Sequence, residues 1–274
     1  MGWHSRQGVG AAQPFRAAAG CRALAGAPVA YARAAPIPAA CQHGAKPLIS
    51  LILAAFLFLA IHLGVSGTTV RDHLVGAISL NGYMLAFSLA SVAAMAWLVM
   101  SYNTAAYVPL WDAPNAWRYV SVALMLPAFL LVVIGLTTPN PTAAGQEKRV
   151  AEEPRGIVRI TRHPFLVGVA IWAVTHLVSN GDLASVLFFA SLAAVSVAGT
   201  VSIDAKRRRA LGDAAWDGFA RRTSIMPFAA ILQGRNTLSL SELGWWRPLA
   251  GVAAYALFLG GHRHIIGVSP WPVM

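Results

Sequence analysis

The chain has 274 residues, of which 57% are hydrophobic and only 11% are charged, and its formal net charge is +11. This composition excludes an ordinary soluble globule, in which about a quarter of the residues are charged. It predicts an all-α protein, a polytopic bundle of helices in a membrane.

Residues 1–46 differ in composition from the rest of the chain. They are rich in alanine and contain arginine and lysine but no aspartate or glutamate. This is typical of a targeting peptide, and equally of a stretch translated upstream of the true start. We therefore expect a disordered extension over 1–46 and a membrane domain over 47–274. Both cysteines, Cys21 and Cys41, lie in the extension, so the membrane domain is predicted to hold neither a disulfide nor a thiolate metal site.

Apolar stretches long enough to cross a bilayer follow one another along the membrane domain. At about 1.5 Å per residue, five of them span, or nearly span, a hydrocarbon core of about 30 Å. They are Leu48–Gly67, Tyr83–Tyr102, Tyr119–Thr138, Leu183–Ile203 and Leu249–Gly267. The flanks of a shorter stretch, Phe165–Val178, favour a sixth span. We expect about six transmembrane helices that are in contact with the lipid bilayer.

The basic residues are concentrated in two connecting segments. One is the loop Pro139–Pro164, and the other extends from Lys206 to Arg247. The intervening turn 179–182 and the loop Asn103–Trp117 contain no lysine or arginine. Because cytoplasmic loops carry the excess of basic residues, this pattern predicts a multi-pass membrane protein with both basic segments in the cytoplasm. It explains the positive charge without a nucleic-acid partner.

An amphipathic helix is predicted over Ala205–Arg222. Leu211, Trp216 and Phe219 form its apolar stripe, and oppositely charged residues are spaced four apart. We expect this helix to lie on the cytoplasmic surface of the membrane.

Two histidines, His62 and His176, lie inside predicted spans. An unpaired imidazole is costly in lipid, so both should face the interior of the bundle. Counting from the same side of the membrane, their depths differ by roughly 9 Å at 1.5 Å per residue. That offset suits two ligands of one metal on facing helices. The alternative is two separate histidines bonded to carbonyl or hydroxyl groups. For His262 and His264, near the end of the sixth span, we expect an interfacial role.

Three cationic or ionisable side chains precede the fourth span. Arg159, Arg162 and His163 lead directly into Pro164, a residue suited to the first position of a helix. They are candidates for binding an anionic group or substrate at the positive end of the helix dipole. Equally, His163 could serve only to orient the entry into the helix.

Several unlike motifs recur in a characteristic order over about 48–270. They are IHLGVSG, AAYVPLWDAP, MLPAF, GIVRITRHP, WAVTHLVSNGD, RTSIMPFAAILQGRN and LGWWR. In these motifs the chain resembles the NnrU family, which is associated with bacterial denitrification and with the handling of nitrite and nitric oxide. That family is in turn similar to the 15-cis-zeta-carotene isomerases of plants and cyanobacteria. The resemblance to these isomerases implies haem b, with His62 and His176 at the positions of its ligands.

The chain departs from the isomerases at two points. Ala173 stands where they have a cysteine three residues before the second histidine, and the fifth span has no histidine. We therefore expect a haem-binding membrane protein that acts in, or supports, nitrite and nitric oxide metabolism, with a nitrogen oxide or a hydrophobic small molecule as ligand and a redox or assembly partner. The alternative is a haem isomerase of a polyene.

A third function is suggested by a different resemblance. The stretch RHPFLVG, followed later by LGDAAWDGFARRTSIMP, is similar to isoprenylcysteine carboxyl methyltransferases. In that family the Arg-His-Pro helix and the later arginines are implied to form part of an S-adenosylmethionine site. The acidic residues expected before the second motif are reduced here to Asp204.

Overall fold

The structure is a computed structural model that describes residues 48–271. The predicted extension over 1–46 lies outside these residues. Within them the prediction of an all-α fold is confirmed, because no β-strand forms and β pairing occurs only as isolated bridges, such as that between Pro109 and Asp182. The longer helices are α1 Ile49–Leu59 (continued by the π-helical segment Ala60–Val65), α2 Val70–Thr104, α3 Asn115–Thr137, α5 Pro164–Asn180, α6 Leu183–Leu211, α7 Asp213–Arg222 and α9 Trp246–Ile266. Two short helices, α4 Ile157–Ile160 and α8 Ala229–Leu232, and two 3-10 turns, Glu147–Ala151 and Ser241–Leu243, connect them.

Each of the six predicted spans corresponds to a helix. In the described part of the chain, three helices (α2, α3 and α6) are long and apolar enough to cross a membrane. The apolar helices Ile49–Val65 and Pro164–Asn180 are shorter. The sixth predicted span corresponds to α9.

The helix that contains the second predicted span is longer than that span, because α2 begins at Val70 and the span at Tyr83. The backbone of Ser79 interrupts α2 with φ 68° and ψ 164°. The hydroxyl of Ser79 accepts a hydrogen bond from the backbone N–H of Gly82 at 3.3 Å, as an N-cap residue does. A polar first part, with Arg71 and Asp72, thus precedes an apolar second part, and only the second part has the hydropathy of a span.

The predicted surface helix over Ala205–Arg222 is wrong in its bounds and in its partner. Helix α6 continues to Leu211, and Gly212, with φ 82°, separates it from α7. Trp216 and Phe219 are each only 1% exposed, because they pack against the connecting segments around Ile157 and Val158. An apolar stripe has the same sequence whether lipid or protein covers it, so periodicity could not distinguish the two.

The long helices pack in a continuous row. Helix α3 lies between α9 and α5, α6 packs on the other side of α5, and α1 and α2 pack beside α6. One core joins α1, α2, α5 and α6 and includes Leu51, Phe58, Ala173 and Phe189. A second core, around Trp216, joins α3 to α7 and the connecting segments.

The hairpin between α5 and α6 shows how the sequence sets helix ends. Pro164 occupies the first turn of α5, where its missing N–H costs no hydrogen bond. Gly181 ends α5 in the left-handed conformation with φ 64°, which favours glycine. The carboxylate of Asp182 then accepts a hydrogen bond from the N–H of Ser185 at 3.0 Å and caps α6. Two residues thus reverse the chain and place α5 antiparallel to α6.

The close contact of α5 with α3 depends on Gly168. A Cβ at this position would lie 2.8 Å from the carbonyl oxygen of Ala128 and 2.8 Å from Val132 Cγ2. Gly168→Ala is therefore expected to push the helices apart and to destabilise the protein by about 1–3 kcal/mol, the usual range for overpacking. The midpoint of thermal unfolding in detergent micelles measures this loss. Gly76→Ala is the matched control, since nothing lies within 4 Å of its added Cβ. Equal stability of the two variants would contradict the packing of α3 on α5.

The predicted topology can be tested at three exposed positions. Lys148, Asn180 and Arg208 are all exposed to solvent. After removal of Cys21 and Cys41, a cysteine introduced at 180 is expected to react with an impermeant thiol reagent in intact cells, whereas cysteines at 148 and 208 should react only after lysis. The reverse pattern would overturn the assignment from the basic loops.

Candidate functional site

His62 lies in an unusual part of the backbone, the π-helical segment Ala60–Val65. Its Nδ1 donates a hydrogen bond to the carbonyl oxygen of Phe58 at 2.8 Å. The rings of Phe58 and Phe87 lie 4.3 Å and 5.4 Å from the imidazole, centroid to centroid. Short π-helical turns are rare and occur frequently at functional sites. The sequence contained no signal for this turn.

His176 has a similar environment on α5. Its Nδ1 donates a hydrogen bond to the carbonyl oxygen of Trp172 at 2.8 Å. The ring centroids of Trp172 and Phe189 lie 4.8 Å and 5.2 Å from that of the imidazole. An apolar, aromatic environment therefore surrounds this histidine as well.

The two histidines share a hydrogen-bonding pattern that suits metal binding. In each, Nδ1 carries the proton and is held by the carbonyl oxygen four residues earlier in the chain. Nε2 therefore presents a lone pair, and among residues 48–271 it has no hydrogen-bond partner. Metal-binding histidines are usually oriented in this way, by a carbonyl group on the other ring nitrogen. Two imidazoles of this kind are the donor type that haem iron takes from a protein, and haem binding by His62 and His176 stays a prediction. No group of three or more potential metal ligands occurs in the described part of the chain.

The register of the helices gives the relative depth of the two histidines. Gly67 lies beside Ser202, while Ser50 bonds Ser101 and the adjacent Tyr102 bonds Ser185. Helix α1 therefore runs parallel to α6 and places His62 at about the level of Val197. The ring of His176 instead contacts Phe189. From 189 to 197 the distance along α6 is roughly 12 Å at 1.5 Å per residue. Both histidines thus lie in one bundle but contact different aromatic residues. Their difference in depth is larger than the roughly 9 Å predicted.

His262, for which the sequence indicated only an interfacial role, lies on the same side of the bundle as His176. The start of α3 contacts the end of each helix, since Trp117 donates to Ser179 and Arg118 donates to the carbonyl oxygen of Ser269. Nδ1 of His262 is held by the carbonyl oxygen of Val268 at 2.7 Å. Both histidines lie four residues before the last residue of their helices, Asn180 and Ile266, and these helix ends are on the same side of the bundle. That spacing could have indicated their common depth. His262 is therefore a third candidate ligand.

The side chains of Arg162 and His163 meet at one carboxylate. Arg162 Nε lies 2.9 Å and His163 Nε2 lies 2.7 Å from the carboxylate oxygens of Asp204. His163 is only 3% exposed, and this burial lowers its pKa. The ring is therefore neutral at physiological pH and donates Nε2–H to Asp204. Asn140 and Thr142 bind the carbonyl oxygen of Arg162 and hold this turn in place.

Arg159 points away from this cluster and forms a second one. Its Nε and Nη2 bind the two carboxylate oxygens of Glu242 at 2.8 Å and 3.0 Å, and its Nη1 binds Asn236 at 2.7 Å. The hydrogen bonds raise the pKa of Arg159 and lower the pKa of Glu242. The three residues predicted to bind an anion thus have carboxylates of the chain itself as partners, and anion or substrate binding by them stays a prediction. Glu242 was not foreseen, because 83 residues separate it from Arg159.

The chain is similar in sequence to two proteins that are named as isomerases. It is 24% identical over 231 residues to the chloroplastic 15-cis-zeta-carotene isomerase of Arabidopsis thaliana, a match that covers 82% of this chain and 62% of that protein. It is 36% identical over 107 residues to the chloroplastic 15-cis-zeta-carotene isomerase of Zea mays, covering 39% of this chain and 29% of that protein. The chain thus spans less than two thirds of the length of either relative. No solved structure matches it.

The sequence model of the NnrU protein family matches residues 50–270. These residues include the long helices of the bundle, except Ile49 at the start of α1, and all the side chains of the candidate site. The chain belongs to the NnrU family.

Proposed function

We propose that the chain is a membrane isomerase that acts on a double bond of an extended, conjugated polyene. The observation that carries this proposal is the match of 82% of the chain to a 15-cis-zeta-carotene isomerase. The match covers only 62% of that relative, so the isomerase activity of this chain is a proposal. A cis–trans isomerisation neither adds nor removes atoms, so the protein needs only to bind the polyene and lower the barrier to rotation about one bond.

The surroundings of the two histidines suit a polyene. Such a molecule is apolar and dissolves in the bilayer. From there it could reach the apolar helices without crossing a polar surface. Phe58 and Phe87 beside His62, and Trp172 and Phe189 beside His176, offer flat aromatic faces to a conjugated chain. These rings would hold the substrate through dispersion and exclude water from it.

We further propose that His62 and His176 hold a haem b through their Nε2 atoms. The haem, when bound, supplies an iron centre that can change its oxidation state. The carbonyl oxygens of Phe58 and Trp172 fix each imidazole with Nε2 available to the metal. Ala173, where the isomerases are expected to have cysteine, is fully buried in the core beside α1 and offers no further ligand.

Nitrite or nitric oxide metabolism, the function expected from the sequence, is the second candidate. The similarity to the two isomerases supports the polyene function. Ala173 favours the nitrogen-oxide function, because without a cysteine at this position a small ligand could displace one histidine from the haem iron. The third candidate, a methyltransferase, is weakened because Asp204 already binds Arg162 and His163. For all three functions we propose the bacterial inner membrane as the location.

The test uses the full chain, purified in detergent micelles and supplied with 15-cis-zeta-carotene under oxidising and reducing conditions. Chromatography separates the isomers, and the protein is expected to speed the loss of the 15-cis isomer in at least one redox state. His176→Ala should reduce this rate at least tenfold, while His264→Ala should not change it. No isomerisation in either state, together with a spectral change on addition of nitric oxide, would reject the polyene function in favour of the second candidate.

A further inference from the structure

A half-buried lysine lies at the basic end of the bundle without an acidic partner. Lys206, near the end of α6, donates a hydrogen bond from Nζ to the hydroxyl of Ser66 at 3.3 Å. Ser66 directly follows the π-helical segment that contains His62. Among residues 48–271, no carboxylate lies within ion-pair distance of this ammonium group. A lysine in such a place usually has a negative partner.

A second polar group beside Lys206 lacks a partner altogether. The hydroxyl oxygen of Ser202 is buried and makes no hydrogen bond with the described part of the chain. It lies next to Gly67, whose added Cβ would be only 3.1 Å from it. Ser202 and Lys206 are four residues apart on one helix, so they lie on the same face of α6. A buried hydroxyl without a partner costs about 1–3 kcal/mol, a cost that a bound acceptor would remove.

The charged groups around Lys206 have a net positive charge. Arg71, Arg207 and Arg209 lie within electrostatic reach of it, and Asp72 is the acidic group in the same range. Asp72 is already paired with Arg71 at 3.1 Å. Glu147 is paired with Arg207 at 2.5 Å, and Nε of Arg207 is buried without a partner. Two carboxylates therefore balance only two of the four cations.

We propose that Ser66, Arg71, Ser202 and Lys206 form a basic pocket that binds the phosphate group of an anionic membrane lipid. A phosphate oxygen accepts from the ammonium group of Lys206, and its negative charge offsets the excess positive charge. Ser202, one turn earlier on the same face of α6, offers a hydroxyl that has no other partner among the described residues. The pocket lies where α1 ends and α6 becomes polar, which is the level at which lipid phosphates lie. Basic pockets between helices on the cytoplasmic side bind lipid headgroups in this way. The site is independent of haem and of isomerase activity.

The experiment measures binding of phosphatidylglycerol by the purified full chain in an uncharged detergent, with phosphatidylcholine as the neutral comparison. Lys206→Gln is expected to weaken binding of phosphatidylglycerol at least fivefold, in line with about 1 kcal/mol for each lysine near a charged membrane surface. Ser202→Ala should weaken it to a smaller extent. Lys148→Gln is the matched control: it loses the same charge from an exposed loop position and should bind as the unchanged protein does.

Further arms identify the source of the phosphate. If inorganic phosphate at millimolar concentration displaces the lipid, the pocket is confirmed as a phosphate site, while binding of inorganic phosphate without binding of phosphatidylglycerol would overturn the lipid as its ligand. Equal binding by the unchanged protein and Lys206→Gln, or an equal loss in Lys148→Gln, would overturn the pocket itself. Should Lys206→Gln fail to fold, Lys206→Arg keeps the charge and should keep the binding, and Ser202→Ala then provides the test.

Discussion

Replacement of Asp204 by alanine is expected to destabilise the folded protein by about 3–5 kcal/mol, as loss of one partner from a buried ion pair does. The carboxylate of Asp204 accepts from both Arg162 and His163, whose side chains are only 12% and 1% exposed. Without it, the guanidinium group stays buried with no opposite charge and the imidazole N–H has no acceptor. Because this turn begins α5, the loss should affect the packing of the whole bundle.

The midpoint of thermal unfolding in micelles measures this effect. Asp213→Ala is the control, because Asp213 is 80% exposed and its pair with Arg208 is exposed as well. Surface pairs contribute at most about 1 kcal/mol, so this variant should unfold close to the unchanged protein. The double variant Arg162→Met with Asp204→Leu removes both charges and should recover part of the lost stability. If Asp204→Ala and Asp213→Ala unfold alike, the pairing of Asp204 with Arg162 and His163 does not stabilise the fold.

His62→Ala and His176→Ala are each expected to abolish, or convert to high spin, the absorbance spectrum of a low-spin haem in the purified protein. Each change removes one of two axial ligands and leaves the iron with a vacant or weakly held position. The expected loss is nearly complete, because the described part of the chain contains no cysteine whose thiolate could replace the lost imidazole. Absorbance of the oxidised and reduced protein, together with haem content per chain, provides the measurement.

Two further variants make this result specific. His264→Ala, at an exposed position near the end of α9, should leave the spectrum unchanged. His262→Ala tests the histidine that the structure places on the same side of the bundle as His176. Loss of the spectrum in His262→Ala but not in His62→Ala would replace the proposed ligand pair with His176 and His262. Protein that contains no haem and binds S-adenosylmethionine would reject the haem proposal altogether.

The candidate site was only partly accessible from sequence. His62 and His176 are apparent there, because an ionisable ring inside an apolar span is unusual in any fold. His262 was missed as a further candidate ligand, because 86 residues separate it from His176 and only the packing of α5 and α9 on α3 relates the two. The partners of the cationic residues were hidden for the same reason, since Glu242 and Asp204 are distant in sequence from Arg159 and Arg162.

The amino-acid sequence by itself determined the all-α class, the existence of the helices and most of their ends. These depend on local chemistry: apolar stretches of sufficient length, Pro164 at the start of α5, Gly181 at its end and Asp182 as the cap of α6. Only the tertiary structure decided that α7 buries Trp216 and Phe219 against protein, and that Arg162 and His163 share one carboxylate. The sequence shows which apolar and charged side chains need a partner in the folded protein. Which partner it finds depends on the register and order of helices that are far apart in the chain.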